Sequence, residues 1–346
     1  MIKPLDHITN TKSYVPGGKL HGASGPVAML ASNENPFGPS PLAVEAIRKA
    51  AGEGLQVYPD PDYTALREAI AEEKGIADAS RVVTAAGSDE IIHLLTQCYA
   101  GPGDEVLFTE HAFSMYEVSA RAHGAAAIRA PETDMTAGVN SILGAVSPKT
   151  KILFLANPNN PTGTMLSLDA LKGLQDALPP HVLFVVDGAY SEYLGPDYEA
   201  SLRDLADRRD TTVMMRTFSK IYGLAALRLG WAYMPKAVAD TFQRIRGPFN
   251  VNTLAVEAGI ASIGDNAFLK LSRDHNTAWR AQMADALNAL GLPTPPSHAN
   301  FVVCEFGGAD RAAAAHHHLK HQSILVRAIA GYGLPTKLRI TVGSAE

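Results

Sequence analysis

The stretch "VLFVVD", residues 182–187, indicates the fold class of this chain. Five apolar residues, three of them β-branched valines, run without a break up to an aspartate, which favours a short strand. Because no polar residue alternates along the run, both faces of the strand are expected to be buried, as in a parallel sheet covered by helices on both sides. The run therefore predicts an α/β fold with Asp187 at the carboxyl end of a buried strand.

Other runs of this kind occur along the chain, separated by stretches that could be helices. They are "RVVTA" (81–85), "EVLFT" (105–109), "KILFLA" (151–156), "TVMMRTF" (212–218) and "GWAYM" (230–234). Together they predict an α/β three-layer sandwich with a mainly parallel sheet.

A smaller α/β domain is predicted from the two ends of the chain. After Pro248, helical stretches lead to "NFVVCEF" (300–306), a helix near 310–321, "ILVR" (324–327) and "KLRITVG" (337–343). We place an N-terminal arm with part of the small domain at 1–40, the large domain at 41–248, and interdomain helices with the small C-terminal domain at 249–346.

Composition excludes several classes of function. The chain has 346 residues, of which 46% are hydrophobic and 19% charged, and a net charge of -5 gives no electrostatic reason to bind nucleic acid or an anionic membrane. Cys98 and Cys304 lie far apart, so they indicate neither a disulfide framework nor a thiolate metal site. With no apolar leader and no run near ~18 apolar residues, the sequence predicts a cytoplasmic protein.

Polar residues follow the predicted strands, where sites of open α/β sheets collect. After the first run, Gly87 would let the backbone turn, and Ser88 or Asp89 could cap a helix whose free N–H groups hold a phosphate. An ordinary helix cap is the plainer interpretation of that turn. The turn "NPNNPTG" (157–163) offers amides, and Asp187 offers a carboxylate.

Lys220 stands in "TFSKIYGLAALRLGW", residues 217–231. A partly neutral lysine can form a Schiff base with an aldehyde, although most lysines are simply solvated. Thr217, Ser219 and Arg228 surround it with two hydroxyls and a guanidinium, which suit a phosphate dianion. A phosphorylated aldehyde whose ring nitrogen needs an acid partner such as Asp187 describes pyridoxal 5'-phosphate.

Six motifs in order support that hypothesis: "ASNENPFGPSP", "YPDPDYTALREAIA", "AAGSDEII", "NPNNPTG", "TFSKIYGLAALRLGW" and "LRITVG". From about Ser32 to Gly343 the sequence resembles the histidinol-phosphate aminotransferase family of fold-type-I pyridoxal-phosphate-dependent aminotransferases. It departs from the family at Gly188, where a glutamate is common.

The resemblance implies a role for each matching residue. Lys220 would be the Schiff-base lysine and proton carrier, and Asp187 would keep the ring nitrogen protonated. The other implied cofactor contacts are Asn160 and Tyr190 at the ring oxygen, Phe113 stacked on the ring, and Ser88, Asp89, Thr217, Ser219 and Arg228 around the phosphate.

Substrate and subunit contacts are implied in the same way. Arg339, aided by Asn33, would bind the α-carboxylate, Arg327 would bind the phosphate of histidinol phosphate, and Tyr14 would join the substrate site. A surface arginine at a strand end is the plainer interpretation of Arg327. Tyr58 would reach the cofactor of a neighbouring subunit, which implies a homodimer with shared active sites.

The favoured function is ping-pong transfer from histidinol phosphate to 2-oxoglutarate, giving imidazole acetol phosphate and glutamate in histidine biosynthesis. An aromatic amino-acid aminotransferase and a decarboxylase of a phosphorylated amino acid remain alternatives on the same fold. An effector-binding module fused to a DNA-binding domain is disfavoured, because only about thirty residues precede "ASNENP". We expect no metal site: the histidines at 316–318 and 321 suit a solvated helix face, and the place of Tyr332 stays open.

Overall fold

The computed structural model describes residues 2–11 and 27–345. Tyr14, which the sequence placed at the substrate site, lies outside the described residues. The helices are α1 (Asp6–Thr9), α2 (Pro41–Gly52), α3 (Thr64–Lys74), α4 (Ser88–Tyr99), α5 (Met115–Ala122), α6 (Val139–Ala145), α7 (Leu168–Ala177), α8 (Pro196–Asp207), α9 (Lys236–Ile245), α10 (Thr253–Ile263), α11 (Asn266–Ala289) and α12 (Ala309–His321). The strands are β1 (Ala28–Leu30), β2 (Val82–Ala85), β3 (Glu105–Thr109), β4 (Ala126–Ala130), β5 (Glu132–Thr133), β6 (Thr136–Ala137), β7 (Thr150–Ala156), β8 (Leu183–Asp187), β9 (Thr212–Thr217), β10 (Gly230–Tyr233), β11 (Phe301–Glu305), β12 (Ile324–Ala328) and β13 (Lys337–Thr341).

The larger sheet has seven strands in the order β2-β10-β9-β8-β7-β3-β4. The neighbours from β9 to β4 pair in parallel, and β10 alone among these strands runs antiparallel to its neighbours β2 and β9. This order confirms the predicted α/β class with a mainly parallel sheet. Its carboxyl ends bring the segments after β7, β8 and β9 to one edge.

Both faces of this sheet are buried, as the unbroken apolar runs predicted. In β7, Ile152 and Phe154 belong to one hydrophobic cluster, whereas Leu153 and Leu155 belong to another. This alternation follows from the two-residue period of a strand. Helices α4, α5 and α9 contribute to the first cluster, and α3, α7, α8 and α10 contribute to the second, so the sheet is the middle of three layers.

The smaller sheet has the order β1-β12-β13-β11. β1 pairs in parallel with β12, while β13 is antiparallel to both β12 and β11. An early strand is thereby joined to the end of the chain, and Arg327 lies directly opposite Arg339. The domain boundaries at 40/41 and 248/249 stay a prediction.

Four of these strands were not predicted: β1, β4, and the two-residue strands β5 and β6, which form a separate two-stranded sheet. β1 has only three residues, and β4 reads "AAIRA", in which alanines stand where the predicted runs have larger apolar residues. β4 forms in spite of its alanines because it pairs along its whole length with β3.

Within the described ranges, 2–11 and 27–345, no helix combines the length and the apolar character that crossing a membrane requires.

Candidate active site

A cavity of about 250 Å³ opens where the carboxyl ends of β8 and β9 meet the N-terminus of α4 and the smaller sheet. Of the predicted site residues, all but Tyr14 and Tyr58 line it: Asn33, Ser88, Asp89, Phe113, Asn160, Asp187, Tyr190, Thr217, Ser219, Lys220, Arg228, Arg327 and Arg339. Residues up to 306 positions apart in sequence thus share one cavity.

Lys220 lies in the middle of this set, three residues beyond the end of β9. Its Nζ donates a hydrogen bond to the carbonyl oxygen of Ser32 at 3.0 Å and lies 5.9 Å from the centre of the Tyr190 ring. Burial and the positive charge of Arg339 lower the pKa of Lys220 to about 8. A larger fraction of the amine is therefore neutral at pH 7 than for an ordinary lysine.

Asp187 ends β8 with its side chain buried. The hydroxyl of Tyr116 donates to Oδ2 at 2.7 Å, and the backbone N–H of Ala189 donates to Oδ1 at 3.1 Å. Burial raises the pKa of Asp187 to about 6, against the effect of both hydrogen bonds. The carboxylate is therefore mostly ionised at pH 7 and ready to pair with a cationic group.

Tyr116 does not line the cavity but contacts Asp187, which does, and the sequence did not reveal this contact. It is fully buried, and its ring stacks on Phe154 at 4.9 Å between centres. Its position within α5 gives it the pattern of an ordinary core tyrosine. Only its hydrogen bond to Asp187 distinguishes Tyr116 from an ordinary core tyrosine.

The N-terminus of α4 forms a compact basic and polar corner with the segment after β9. The helix is capped by Gly87, with φ of 90°, and no side chain makes a capping hydrogen bond, so the prediction that Ser88 or Asp89 caps it was wrong. A Cβ on residue 87 would lie 2.5 Å from Nη2 of Arg228. Glycine is therefore required both by its backbone angle and by the close guanidinium.

Arg228 ties this corner together. Its Nη1 lies 3.4 Å from Oγ of Ser219, and its Nη2 lies 3.6 Å from Oδ2 of Asp89. Thr217 accepts a hydrogen bond from the backbone N–H of Ser219 at 3.1 Å. Free helix N–H groups, two hydroxyls and a guanidinium converge here, which is the donor set that a phosphate group prefers.

The opposite wall of the cavity comes from the smaller sheet. Arg339 is buried, and it donates to the side-chain oxygen of Asn160 and, at 2.6 Å, to the carbonyl oxygen of Ala31. Arg327 faces the same cavity from the neighbouring strand. Two guanidinium groups on one wall suit a substrate that carries negative charge.

Asn33 and Tyr190 join the segment that follows β1 of the smaller sheet to the segment that follows β8 of the larger one. The amide of Asn33 donates to the Tyr190 hydroxyl at 2.8 Å, and Oγ1 of Thr341 donates to its side-chain oxygen at 3.1 Å. Burial raises the pKa of Tyr190 to about 12, so its hydroxyl stays protonated at neutral pH. Asn33 thus holds Tyr190 in place within the cavity.

The cavity is also lined by three polar residues that the sequence did not assign to the site. Ser32 and Glu34 flank Asn33 in the quoted motif "ASNENP", which could have pointed to them. Tyr332, whose place was left open, also lines the cavity. Tyr58, by contrast, is 76% exposed and stacks on Phe249 at 4.4 Å, away from the cavity of its own chain.

Comparison with known proteins agrees with this geometry. Residues 26–346 match the family described as aminotransferase class I and II. The histidinol-phosphate aminotransferase of Hyphomonas neptunium is 80% identical over 345 residues, which cover 100% of this chain and 94% of that protein. That of Dinoroseobacter shibae is 48% identical over the same shares.

Solved structures show the same likeness. The histidinol-phosphate aminotransferase of Sinorhizobium meliloti in complex with pyridoxal-5'-phosphate superposes with a TM-score of 0.87 at 28% identity, over 92% of this chain and 87% of that one. An aspartate aminotransferase of Thermus thermophilus with maleate, at 22% identity and a TM-score of 0.80 over 92% and 88% of the two chains, shares the fold. By sequence and by fold, the chain belongs to the aminotransferase class I and II family.

Proposed function

We propose that this chain is a pyridoxal-phosphate-dependent aminotransferase that transfers the amino group of histidinol phosphate to 2-oxoglutarate in histidine biosynthesis. One observation carries the proposal. A lysine with a lowered pKa, Lys220, shares a cavity with the buried carboxylate of Asp187, a phosphate-binding corner at the start of α4, and two arginines on the facing wall. The 80% identical relative named histidinol-phosphate aminotransferase supports the choice of substrate.

The residues present fit pyridoxal phosphate. The corner of Gly87, Ser219 and Arg228 would hold the phosphate with its guanidinium and hydroxyl groups. Glycine at residue 87 makes this possible, because a Cβ there would fill the space that the guanidinium occupies. Asp187 would bind the ring nitrogen, and Phe113 would stack on the ring. When bound, the cofactor supplies an aldehyde that condenses with amines and a ring that accepts electrons when a neighbouring carbon loses its proton.

The protein's own groups would then divide the work between them. Lys220 Nζ, partly neutral at pH 7, would hold the cofactor through its aldehyde with loss of water and, once displaced by the amine of the donor, would be free to take up the proton from Cα. Asp187 would hold a proton on the ring nitrogen, with its own orientation set by Tyr116. Tyr190 and Asn160 would hydrogen-bond the ring oxygen, and Tyr190 is positioned for this by Asn33.

Arg327 and Arg339 would bind the negatively charged groups of the substrates. Arg339 would bind the carboxylate of glutamate or 2-oxoglutarate, with Asn33 nearby, and Arg327 would bind the phosphate of histidinol phosphate. The test of this proposal is a panel of amino donors, including histidinol phosphate and phenylalanine, assayed with 2-oxoglutarate as acceptor. Preference for phenylalanine would support an aromatic aminotransferase instead, and release of carbon dioxide from a phosphorylated amino acid would support a decarboxylase.

We expect Arg327→Ala to lower kcat/KM for histidinol phosphate by about 10- to 100-fold, because a charge-assisted hydrogen bond to the phosphate is lost. For phenylalanine, which has no phosphate, the change should stay within about threefold. Arg311→Ala, at an exposed arginine of α12 in the same part of the chain, is the matched control and should affect neither donor. Equal losses for both donors would argue against a phosphate site at Arg327.

The active unit that we propose is a cytoplasmic homodimer with shared active sites. Leu55, Val57 and Tyr58 stand on an exposed loop with 58%, 64% and 76% of their surfaces accessible, which is unusual for apolar side chains unless another surface covers them. Tyr58 from this loop would contact the cofactor phosphate of the partner subunit. The unpaired thiols of Cys98 and Cys304 suit a reducing compartment.

Mixing two inactive variants, Lys220→Ala and Tyr58→Ala, should restore about a quarter of the parental activity. With random exchange half of the dimers are mixed, and each mixed dimer has one site with both residues intact. The control mixes Lys220→Ala with Asp187→Asn, which line the same cavity of one chain, and should restore nothing. The shared-site proposal fails if the first mixture also stays inactive although native mass spectrometry shows mixed dimers, or if Tyr58→Ala alone is fully active.

A further inference from the structure

Gly188 follows the carboxylate residue Asp187, and the space in which its side chain would lie is occupied by another side chain. A Cβ built on Gly188 would lie 1.5 Å from Nη1 of Arg216 and 2.8 Å from its Cζ. The backbone of Gly188 does not have a positive φ, so conformational freedom is not the reason for glycine here. The reason is space: the guanidinium of Arg216 occupies the volume that any side chain at residue 188 would need.

Arg216 is buried in β9 with 1% of its surface exposed. Its Nη1 donates to the carbonyl oxygen of Gly188 at 3.2 Å, and its Nε lies 3.8 Å from Oε1 of Glu192, which is itself 2% exposed. A buried charge persists only when it is paired and hydrogen-bonded. The Gly188 carbonyl accepts a hydrogen bond from the guanidinium and Glu192 places a carboxyl group close to it, whereas Arg216 Nε and Glu192 Oε1 make no hydrogen bond of their own.

The Gly188 carbonyl is the centre of the turn between Asp187 and Tyr190. Besides Arg216 it accepts hydrogen bonds from the backbone N–H of Ser191 at 3.0 Å and from its hydroxyl at 2.8 Å. The N–H of Gly188 donates to the carbonyl oxygen of Met215, beside Arg216 in β9, at 2.9 Å. The direction of the turn is therefore set by contacts with β9 and Ser191.

We propose that Arg216 is a positioning residue: seated where a Cβ of residue 188 would be, its guanidinium holds the turn that aims Asp187 and Tyr190 into the cavity. The roles of Asp187 and Tyr190 rest on the proposed function, whereas the packing of Arg216 against Gly188 does not. The charge of Arg216 also favours the ionised form of Asp187. Burial and the charge of Asp89 raise the pKa of Asp187, whereas the Tyr116 hydroxyl and Arg216 lower it.

The guanidinium has somewhere to move if it is displaced. Arg216 also borders a second cavity of about 380 Å³, whose wall includes Lys74, Glu199 and Trp231. Glu199 already pairs with Lys74 there at 3.1 Å. Gly188→Ala should therefore fold, with the guanidinium pushed away from the Gly188 carbonyl toward this second cavity.

A cycle of variants tests the proposal: the parent, Gly188→Ala, the paired change Arg216→Met with Glu192→Gln, and all three changes together. The pair removes both ionisable groups at once, so neither is left buried without the other. We expect Gly188→Ala to lower kcat and the affinity for pyridoxal phosphate by about tenfold, with KM for the amino donor within about twofold. In the background of the paired change, the same substitution should alter neither quantity by more than about twofold.

Gly173→Ala in α7 is the matched control, because a Cβ there meets open space, and it should leave every readout unchanged. Equal effects of Gly188→Ala in both backgrounds would overturn the pairing with Arg216. Parental kcat and cofactor affinity in the paired variant would overturn the positioning role. Cofactor affinity is measured without any amino donor, so these outcomes remain distinct from a failure of the parent protein to use histidinol phosphate.

Discussion

Replacing Lys220 with alanine should lower kcat by about 10⁴-fold or more, since the substitution removes both the amine that bonds to the cofactor aldehyde and the base for the Cα proton. No other lysine of the described chain lines the cavity, so no neighbouring amine can take over. The phosphate corner at Gly87 and Arg228 does not involve Lys220 and should still hold the cofactor noncovalently. Turnover of the purified variant with histidinol phosphate and 2-oxoglutarate is the measurement.

Borohydride reduction followed by peptide mass analysis gives a second readout of the same prediction. In the parent, the peptide that contains Lys220 should carry the reduced cofactor. In Lys220→Ala, the corresponding peptide should carry none. Lys270→Ala, an exposed lysine on α11 paired with Asp274, is the control and should behave like the parent. A Lys220→Ala variant that transaminates at the parental rate would refute the assignment.

The pH dependence of attachment follows from the pKa of about 8 at Lys220. Only the neutral amine attacks an aldehyde, so attachment of pyridoxal phosphate to the cofactor-free protein should accelerate as pH rises through about 8 and level off above it. An ordinary lysine would place this rise about two units higher.

Asp187→Asn should keep the fold and the cofactor but lower kcat by about 10²- to 10³-fold. A neutral amide cannot hold a proton on the ring nitrogen, and without that proton the ring accepts electrons poorly. The fold should persist because a carboxylate whose pKa is raised to about 6 by burial is costly to keep charged, and the Tyr116 hydroxyl can still donate to the amide oxygen. Steady-state kinetics and the absorbance of bound cofactor report the two properties.

Tyr116→Phe is the matched control for this prediction, since it leaves the carboxylate and removes one hydrogen bond to it. That hydrogen bond lowers the pKa of Asp187, so its loss should raise the pKa further. Activity of Tyr116→Phe should therefore fall at a higher pH than in the parent as the solution is acidified, with only a small loss above pH 7. If Asp187→Asn turns over at nearly the parental rate, Asp187 does not have the proposed role.

Local patterns in the sequence determined most of the large sheet. The run at 105–109 coincides with β3, and those at 151–156, 182–187 and 212–218 differ from β7, β8 and β9 by one residue at an end. Unbroken apolar runs identify buried parallel strands because both faces must be apolar, and the next residues must then lie at the edge where sites form. This is why Asp187 could be named as a candidate site residue from the chain alone, whereas Lys220 was singled out by its hydroxyl and guanidinium neighbours and by the resemblance to an aminotransferase family.

The three-dimensional packing decided what no local pattern could show. Tyr116 donates to Asp187 across 71 positions, Arg339 reaches Asn160 across 179, and Arg216 occupies the space beside Gly188 across 28. Each of these contacts depends on which strands are neighbours and on which face a side chain emerges. The order of the strands is set by burial of the whole sheet, and the local sequence around either residue of a pair does not indicate its partner. The sequence by itself thus determined which residues end the strands, and only the tertiary structure decided which of them touch.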